Sequence, residues 1–160
     1  MMTTPCGWAY NYRWIRVCFD SFVMNSFNSP KFRLKQMGFR PCGRWEDRGG
    51  KLRCVLLDHS NDKNVLFAFI SDGEVVYIGK TVQSLKKRMY GYQNPGPTQS
   101  TNIKSNGHIQ DVLRSGGTVE VYTLPDNGLL YYGGFHVNLA AGLEVSLVKE
   151  LKPLWNRSGK

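Results

Sequence analysis

The sequence predicts an α+β domain, and three stretches carry that expectation. Residues 64 to 88, NVLFAFISDGEVVYIGKTVQSLKKR, read as strand, turn, strand, turn and helix. Residues 39 to 57 repeat a strand, turn and strand pattern, here studded with arginine and lysine. Leu139, Leu143, Leu147, Val148 and Leu151 recur at the period of a helix with one buried face.

With 160 residues, 41% hydrophobic and 12% aromatic, the chain can bury one sizeable core, so one domain with an extension is expected. No run approaches the roughly 18 to 20 apolar residues of a membrane helix. Met1 to Gly7 has neither the basic nor the apolar block of a signal peptide, which places the chain in the cytoplasm.

The aromatic run from Trp8 to Val23 fits a strand and a helix equally well. Lys31 to Met37 can form a short helix stopped by Gly38, and Phe39 to Glu46 then pairs with Lys51 to Leu57 across the turn Asp47-Arg48-Gly49-Gly50. The polar stretch Asp58 to Lys63 joins this basic hairpin to the rest of the chain, with His59 as an exposed loop histidine. Val65 to Ser71 and Glu74 to Ile78 form a tight hairpin through Asp72-Gly73. Ser84 caps a helix carrying Leu85 to Met89, and GYQNPGPTQSTN follows as a long loop. Its neutral donors, Gln99 and Asn102 among them, suit contact with sugar, phosphate or base edges. A helix starting at Asn102 or Ser105 carries His108 on its surface or in a satisfied core position. The strand Thr118 to Leu124 follows it, and Leu129 to Asn138 reads as a glycine-broken loop. On the final helix Glu144 borders the apolar face and should be partly buried, which costs free energy unless a metal or a basic group pairs it. Glu150 should be solvated, and Pro153 ends the helix.

Lysine and arginine number 21 against 12 acidic residues, a formal charge of +9 that calls for a polyanionic partner. One basic cluster lies in residues 31 to 53 and includes Arg44, Arg48 and Lys51; a second comprises Lys80, Lys86, Lys87 and Arg88. An ordinary solvated surface is the plain alternative for each, and phosphate contact is the sharper expectation for the second. Cys6, Cys18, Cys42 and Cys54 contain no C-x-x-C pair, so reduced thiols are expected, with Cys42 and Cys54 near each other across the basic hairpin.

Tyr77-Ile78-Gly79, then Arg88 nine residues after Gly79, Glu144 on a later helix and Asn156 after a Leu-Lys-Pro segment resemble the GIY-YIG nuclease family from Val65 to Asn156. The resemblance implies a three-stranded antiparallel sheet flanked by helices. The chain then divides into residues 1–60, an extension built around the basic hairpin, and residues 61–160, the nuclease-like domain. It implies a DNA endonuclease, with Glu144 as metal ligand, Arg88 holding the scissile phosphate, Asn156 supporting the site, and Tyr77 orienting or deprotonating the attacking water. Tyr92, one helical turn after Arg88, would be a second proton acceptor or phosphate contact. A tyrosine of reference pKa about 10 is a poor base unless cations lower it, and Lys80 and Arg88 are the cations at hand. A lone carboxylate suits one magnesium ion, which takes oxygen ligands and keeps several waters.

One position departs from the family: its first motif would end in a tyrosine ten positions before Tyr77, where this chain has Phe67. The ring is kept and the hydroxyl is lost, consistent with a weakened enzyme. A catalytically inactive nucleic-acid-binding module and a protein-interaction domain on the same fold are the alternatives. No helix-turn-helix or zinc-finger pattern follows the core, which fits a restriction or defence type acting on double-stranded DNA. A homodimer would follow from one such site cutting one strand.

Overall fold

The computed structural model describes residues 29–156. The expectations for the aromatic run Trp8 to Val23, and for Cys6 and Cys18, lie outside the described residues. Helix α1 (Pro30–Gln36) is capped by the Ser29 hydroxyl and stopped at Gly38, whose φ of 104° favours glycine. Strands β1 (Arg40–Arg48) and β2 (Lys51–Leu56) follow, then β3 (Val65–Ser71), β4 (Glu74–Thr81), α2 (Leu85–Gln93), α3 (Ser100–Arg114) and β5 (Val119–Pro125). A small ribbon, β6 (Tyr131–Tyr132) and β7 (Phe135–His136), precedes α4 (Leu139–Leu151) and a 3₁₀ turn at Leu154–Asn156. Among the described residues no helix is long and apolar enough to cross a membrane.

The α+β class is observed, but the sheet has five strands, in the order β2-β1-β5-β3-β4, and all of its pairings are antiparallel. The expected three-stranded sheet, β5-β3-β4, is its central and edge portion. The basic hairpin extends that sheet, because β1 pairs with the outer side of β5. A boundary at residue 60 therefore falls between strands of one sheet. Periodicity located each strand but carries no information on partners, and β5 without β1 would leave a row of unpaired backbone groups. Pro41 sits beside a break in the β1–β5 register, where a strand tolerates the missing N–H.

β3 is buried along its whole length because helices cover both faces. Val65, Phe67 and Phe69 point into a core with Tyr77, Met89, Tyr92, Ile109 and Trp155. Leu66, Ala68 and Ile70 point the other way, toward Leu34 of α1 and Ala140 and Leu147 of α4. Two further expectations change in detail. Helix α3 begins at Ser100, so Asn102 is a helical residue and the loop before it is only 94–99. The segment 129–138 is ordered into the β6–β7 ribbon, turned by Gly133 and Gly134 at positive φ.

The β3–β4 hairpin turns at Asp72-Gly73, both at positive φ as a type I′ turn requires. Ile70 pairs with Val75, yet Phe69 pairs with Tyr77, so Val76 is an extra residue in β4. Phe67 is thus opposite Gly79 and diagonal to Tyr77, on the same face, with the two ring centroids 6.2 Å apart. Even sequence spacing alone would not have produced that shared face; the bulge does.

Gly79 is where the two rings cross the strand. A Cβ there would lie 2.8 Å from Phe67 Cζ and 2.9 Å from Tyr77 Cε1. Gly79→Ala is therefore expected to destabilise the protein by about 1–3 kcal/mol through overpacking, read as a lower midpoint in urea. An unchanged midpoint would mean that the rings yield freely.

Candidate active site

The candidate site gathers at the C-terminal half of β4, an edge strand with α2 on one side and α4 on the other. Asn156 secures that edge from the 3₁₀ turn. Its side-chain oxygen accepts from the Ile78 N–H at 2.9 Å and its amide nitrogen donates to the Ile78 carbonyl at 2.8 Å. The carboxamide mimics a neighbouring strand, so the backbone of Tyr77-Ile78-Gly79 is held and the edge is closed to other chains. Trp155 beside it packs in the core and stacks on His108 at a centroid distance of 5.3 Å, which gives His108 a packing role.

Helix α2 starts where its backbone donors are met by the preceding loop. The Asp62 and Ser60 carbonyls accept from Leu85 N and Lys86 N, and the Ser84 hydroxyl accepts from Lys87 N. His59 stabilises that loop through a 2.7 Å contact to Asp62. The helix buries Leu85, Met89 and Tyr92 and thereby sets Arg88 at the rim of the same face.

Arg88 heads a chain of side-chain hydrogen bonds. Its Nη2 donates to the Tyr92 hydroxyl at 2.6 Å, and that hydroxyl donates to the Tyr77 hydroxyl at 3.1 Å. Its Nη1 donates to Asn102 Oδ1 at 3.2 Å, and Asn102 donates in turn to Gln99 Oε1 at 2.9 Å. The guanidinium also lies 4.4 Å from the centroid of the Tyr92 ring. Arg88 Nε is buried without a hydrogen-bond partner among the described residues. Burial pushes the Tyr92 hydroxyl well above the usual tyrosine range, and the neighbouring Tyr77 adds to this against the opposing pull of Arg88. The Tyr92 hydroxyl therefore stands neutral between Arg88 and Tyr77.

On the other side of the strand, Glu144 Oε2 lies 3.1 Å from Lys80 Nζ, with about a quarter of the Glu144 side chain exposed and 41% of the Lys80 side chain. The partly buried carboxylate thus has the basic partner that its position demanded. Lys80, Lys87, Arg88, Gln99 and Asn102 line one groove of about 540 Å³, so Lys80 joins the carboxylate side of the site to the arginine side.

The remaining candidates are distributed differently. Phe67 is fully buried against Gly79 and Tyr77. Gln99 and Asn102, expected as loop contacts to nucleic acid, are engaged in holding Arg88. Lys86 faces a separate groove with Arg48 and Lys51. Arg44 lines neither groove and is paired with Glu46, which also holds Arg48. Glu150 is exposed and lies 3.3 Å from Arg33. Cys42 and Cys54 are free thiols, and burial raises both, Cys42 to about 11. The Arg88–Asn102 contact spans two helices and had no local signal in the sequence.

A magnesium ion is compatible with this donor set in one respect. Lys80 occupies one oxygen of Glu144, and the second oxygen could bind a hard cation that takes its other ligands from water and phosphate. Among the described residues no group of three or more histidine, cysteine or acidic side chains converges, so an all-protein cage is not formed there.

No family model matches the sequence, and no curated protein matches it. Among solved structures, a mutant of bacteriophage T4 EndoII is similar at a TM-score of 0.63 and 23% identity, over 81% of this chain and 98% of that one. The restriction endonuclease HPY188I in complex with product DNA aligns at a TM-score of 0.45 and 18% identity, over 78% of each chain. The first likeness establishes that the chain shares the EndoII fold.

The hydroxyl of Tyr92 is the link on which the relay turns. Tyr92→Phe should leave Arg88 Nη2 and the Tyr77 hydroxyl each short of a partner, at a cost of about 1–3 kcal/mol for a buried donor left unmade. Chemical denaturation measures this, and equal stability of the variant would show that water replaces the hydroxyl.

Proposed function

We propose that this chain is a metal-dependent endonuclease of the GIY-YIG type that hydrolyses phosphodiester bonds in double-stranded DNA, of restriction or defence kind and acting as a homodimer. The observation that carries the reading is that Arg88, bonded through Tyr92 to Tyr77, lines one groove with Lys80, which in turn pairs with Glu144. The resemblance of the Tyr77-Ile78-Gly79 segment and the shared fold with EndoII support it.

In this reading the chain supplies position and charge. Two of the five N–H donors of Arg88 are committed to Tyr92 and Asn102 and Nε is buried, which leaves one donor on each terminal nitrogen for phosphate oxygens. Tyr77, only 7% exposed, accepts from the Arg88–Tyr92 relay, and its hydroxyl would orient the attacking water. Lys80 and Lys87 add positive charge along the same groove. Glu144 would hold a magnesium ion, which when bound supplies Lewis-acid stabilisation of the phosphoryl oxygens. Asn156 keeps the strand that carries Tyr77 in place.

Glu144→Ala is expected to lower magnesium-dependent plasmid cleavage by at least about 10²-fold, the scale of losing one pre-organised electrostatic contribution, while DNA binding in EDTA persists. Glu150→Ala is the matched control and should cleave like the parent. Full activity in the Glu144 variant would remove that residue from the site.

Phe67 tests whether the missing hydroxyl limits the rate. Phe67→Tyr is expected to raise single-turnover cleavage at least about tenfold, below the roughly 10²–10⁴ that a positioned acid–base group contributes. A lower melting temperature with unchanged cleavage would make position 67 packed core alone.

A further inference from the structure

We propose that the groove between β2 and α2 is a second DNA-binding site, a channel that carries the phosphodiester backbone flanking the scissile position toward the β1–β2 turn. This rests on the endonuclease reading above and specifies the path of its substrate. The groove holds about 710 Å³. Lys51 and Arg53 of the hairpin and Lys86 of α2 line it together with Arg48, which is paired with Glu46 at 2.9 Å, and no aspartate or glutamate lines the groove itself.

Helix α2 is the ridge between this channel and the catalytic groove. Lys86, Tyr90 and Asn94 stand at successive four-residue steps, and Tyr90 and Asn94 line both grooves. Tyr90 is 62% exposed at the crest, where an aromatic ring can stack on a sugar or a base. From Lys86 to Gln93 the helix advances about 10 Å, the length of about three phosphates of one strand at about 3.4 Å of duplex axis each.

The floor of the channel is fixed before any ligand arrives. Gln93 Oε1 accepts from the Cys54 N–H on the free edge of β2 at 3.0 Å. Asn106 Nδ2 donates to the Tyr92 carbonyl at 2.7 Å, Gln110 Nε2 donates to Asn106 at 2.8 Å, and Arg114 donates to Gln110 at 2.9 Å. A row of carboxamides with cations along its wall matches a strand of phosphates and sugars, whose negative charge is regular and whose remaining contacts are neutral. The same row is bonded to the turn of α2 that presents Tyr92 and Arg88, so the channel and the catalytic groove are held in fixed relation.

The test is fluorescence anisotropy of a fluorescent DNA duplex of about two helical turns, across a salt series in EDTA, where cleavage plays no part. Lys51→Gln combined with Lys86→Gln should weaken binding at least tenfold and reduce the slope of log affinity against log salt by about 1.8, at about 0.9 for each phosphate no longer neutralised. Lys63→Gln combined with Lys149→Gln removes the same charge from exposed positions outside both grooves and should leave the slope close to that of the parent. If the groove variant matches this control while the parent binds DNA, the channel is overturned and the endonuclease reading stands. If the parent itself binds no DNA, both readings fall together.

Discussion

The site depends on one extra residue in β4. Without the bulge at Val76 a two-residue turn would set Tyr77 opposite Ala68, on the face that α1 and α4 cover, a full sheet away from Tyr92. With it, Tyr77 stacks on Phe69 at 5.3 Å and joins a group of rings in which Phe69 also meets Trp45, Phe67, Tyr92 and Trp155. Aromatic pairs of this kind contribute about 0.5–1.5 kcal/mol each beyond their area, so the cluster readily offsets the ladder bond missing at the bulge. Packing and site geometry are therefore set by the same register shift.

Arg88 shows how the cluster turns from packing to chemistry. A guanidinium cannot shed its charge, so partial burial must be met with acceptors. The chain provides a hydroxyl, a carboxamide and the face of a ring, all neutral, and leaves Nε without a partner among the described residues. A buried donor left unmade costs about 1–3 kcal/mol. A carboxylate would have satisfied the group more cheaply for stability and would have cancelled the charge. Neutral partners hold the side chain in place and keep its charge for an anion.

Much of this was legible in the sequence where the signal was local. The Asp72-Gly73 turn, the Ser84 cap and the leucine spacing of α4 each specify geometry within a few residues, and each is observed. The joining of β1 to β5 was not legible, because pairing is decided by which edges remain open after the core closes. Nor was the Val76 bulge, since a strand with an extra residue has the same composition as one without. Among the candidate residues, Arg88 and Tyr92 fall together because one helical turn separates them. Asn102 follows a run rich in proline and glycine and so reads as a loop residue, yet α3 begins two residues before it. The basic residues divided by partner: Glu46 takes Arg44 and Arg48, and composition alone could not reveal that pairing.

The Lys80–Glu144 pair can be weighed by magnitude. Both side chains are partly exposed, and a pair in that setting contributes about 0–1 kcal/mol. Stability therefore gives little reason to keep a carboxylate on the rim of an apolar helix face, where desolvation acts against it. A weak, solvent-facing pair has a different property: either partner can be drawn to another ion at small cost. In the proposed reaction a divalent cation would compete for the carboxylate, and the ammonium would turn to phosphate in the groove it already lines with Arg88. On the Arg88 side the contacts are partly buried and mutually braced; on the Glu144 side there is a single, partly exposed pair that can exchange. A guanidinium held in place on one side and a carboxylate free to exchange partners on the other is a division of labour that the proposed phosphodiester hydrolysis would use.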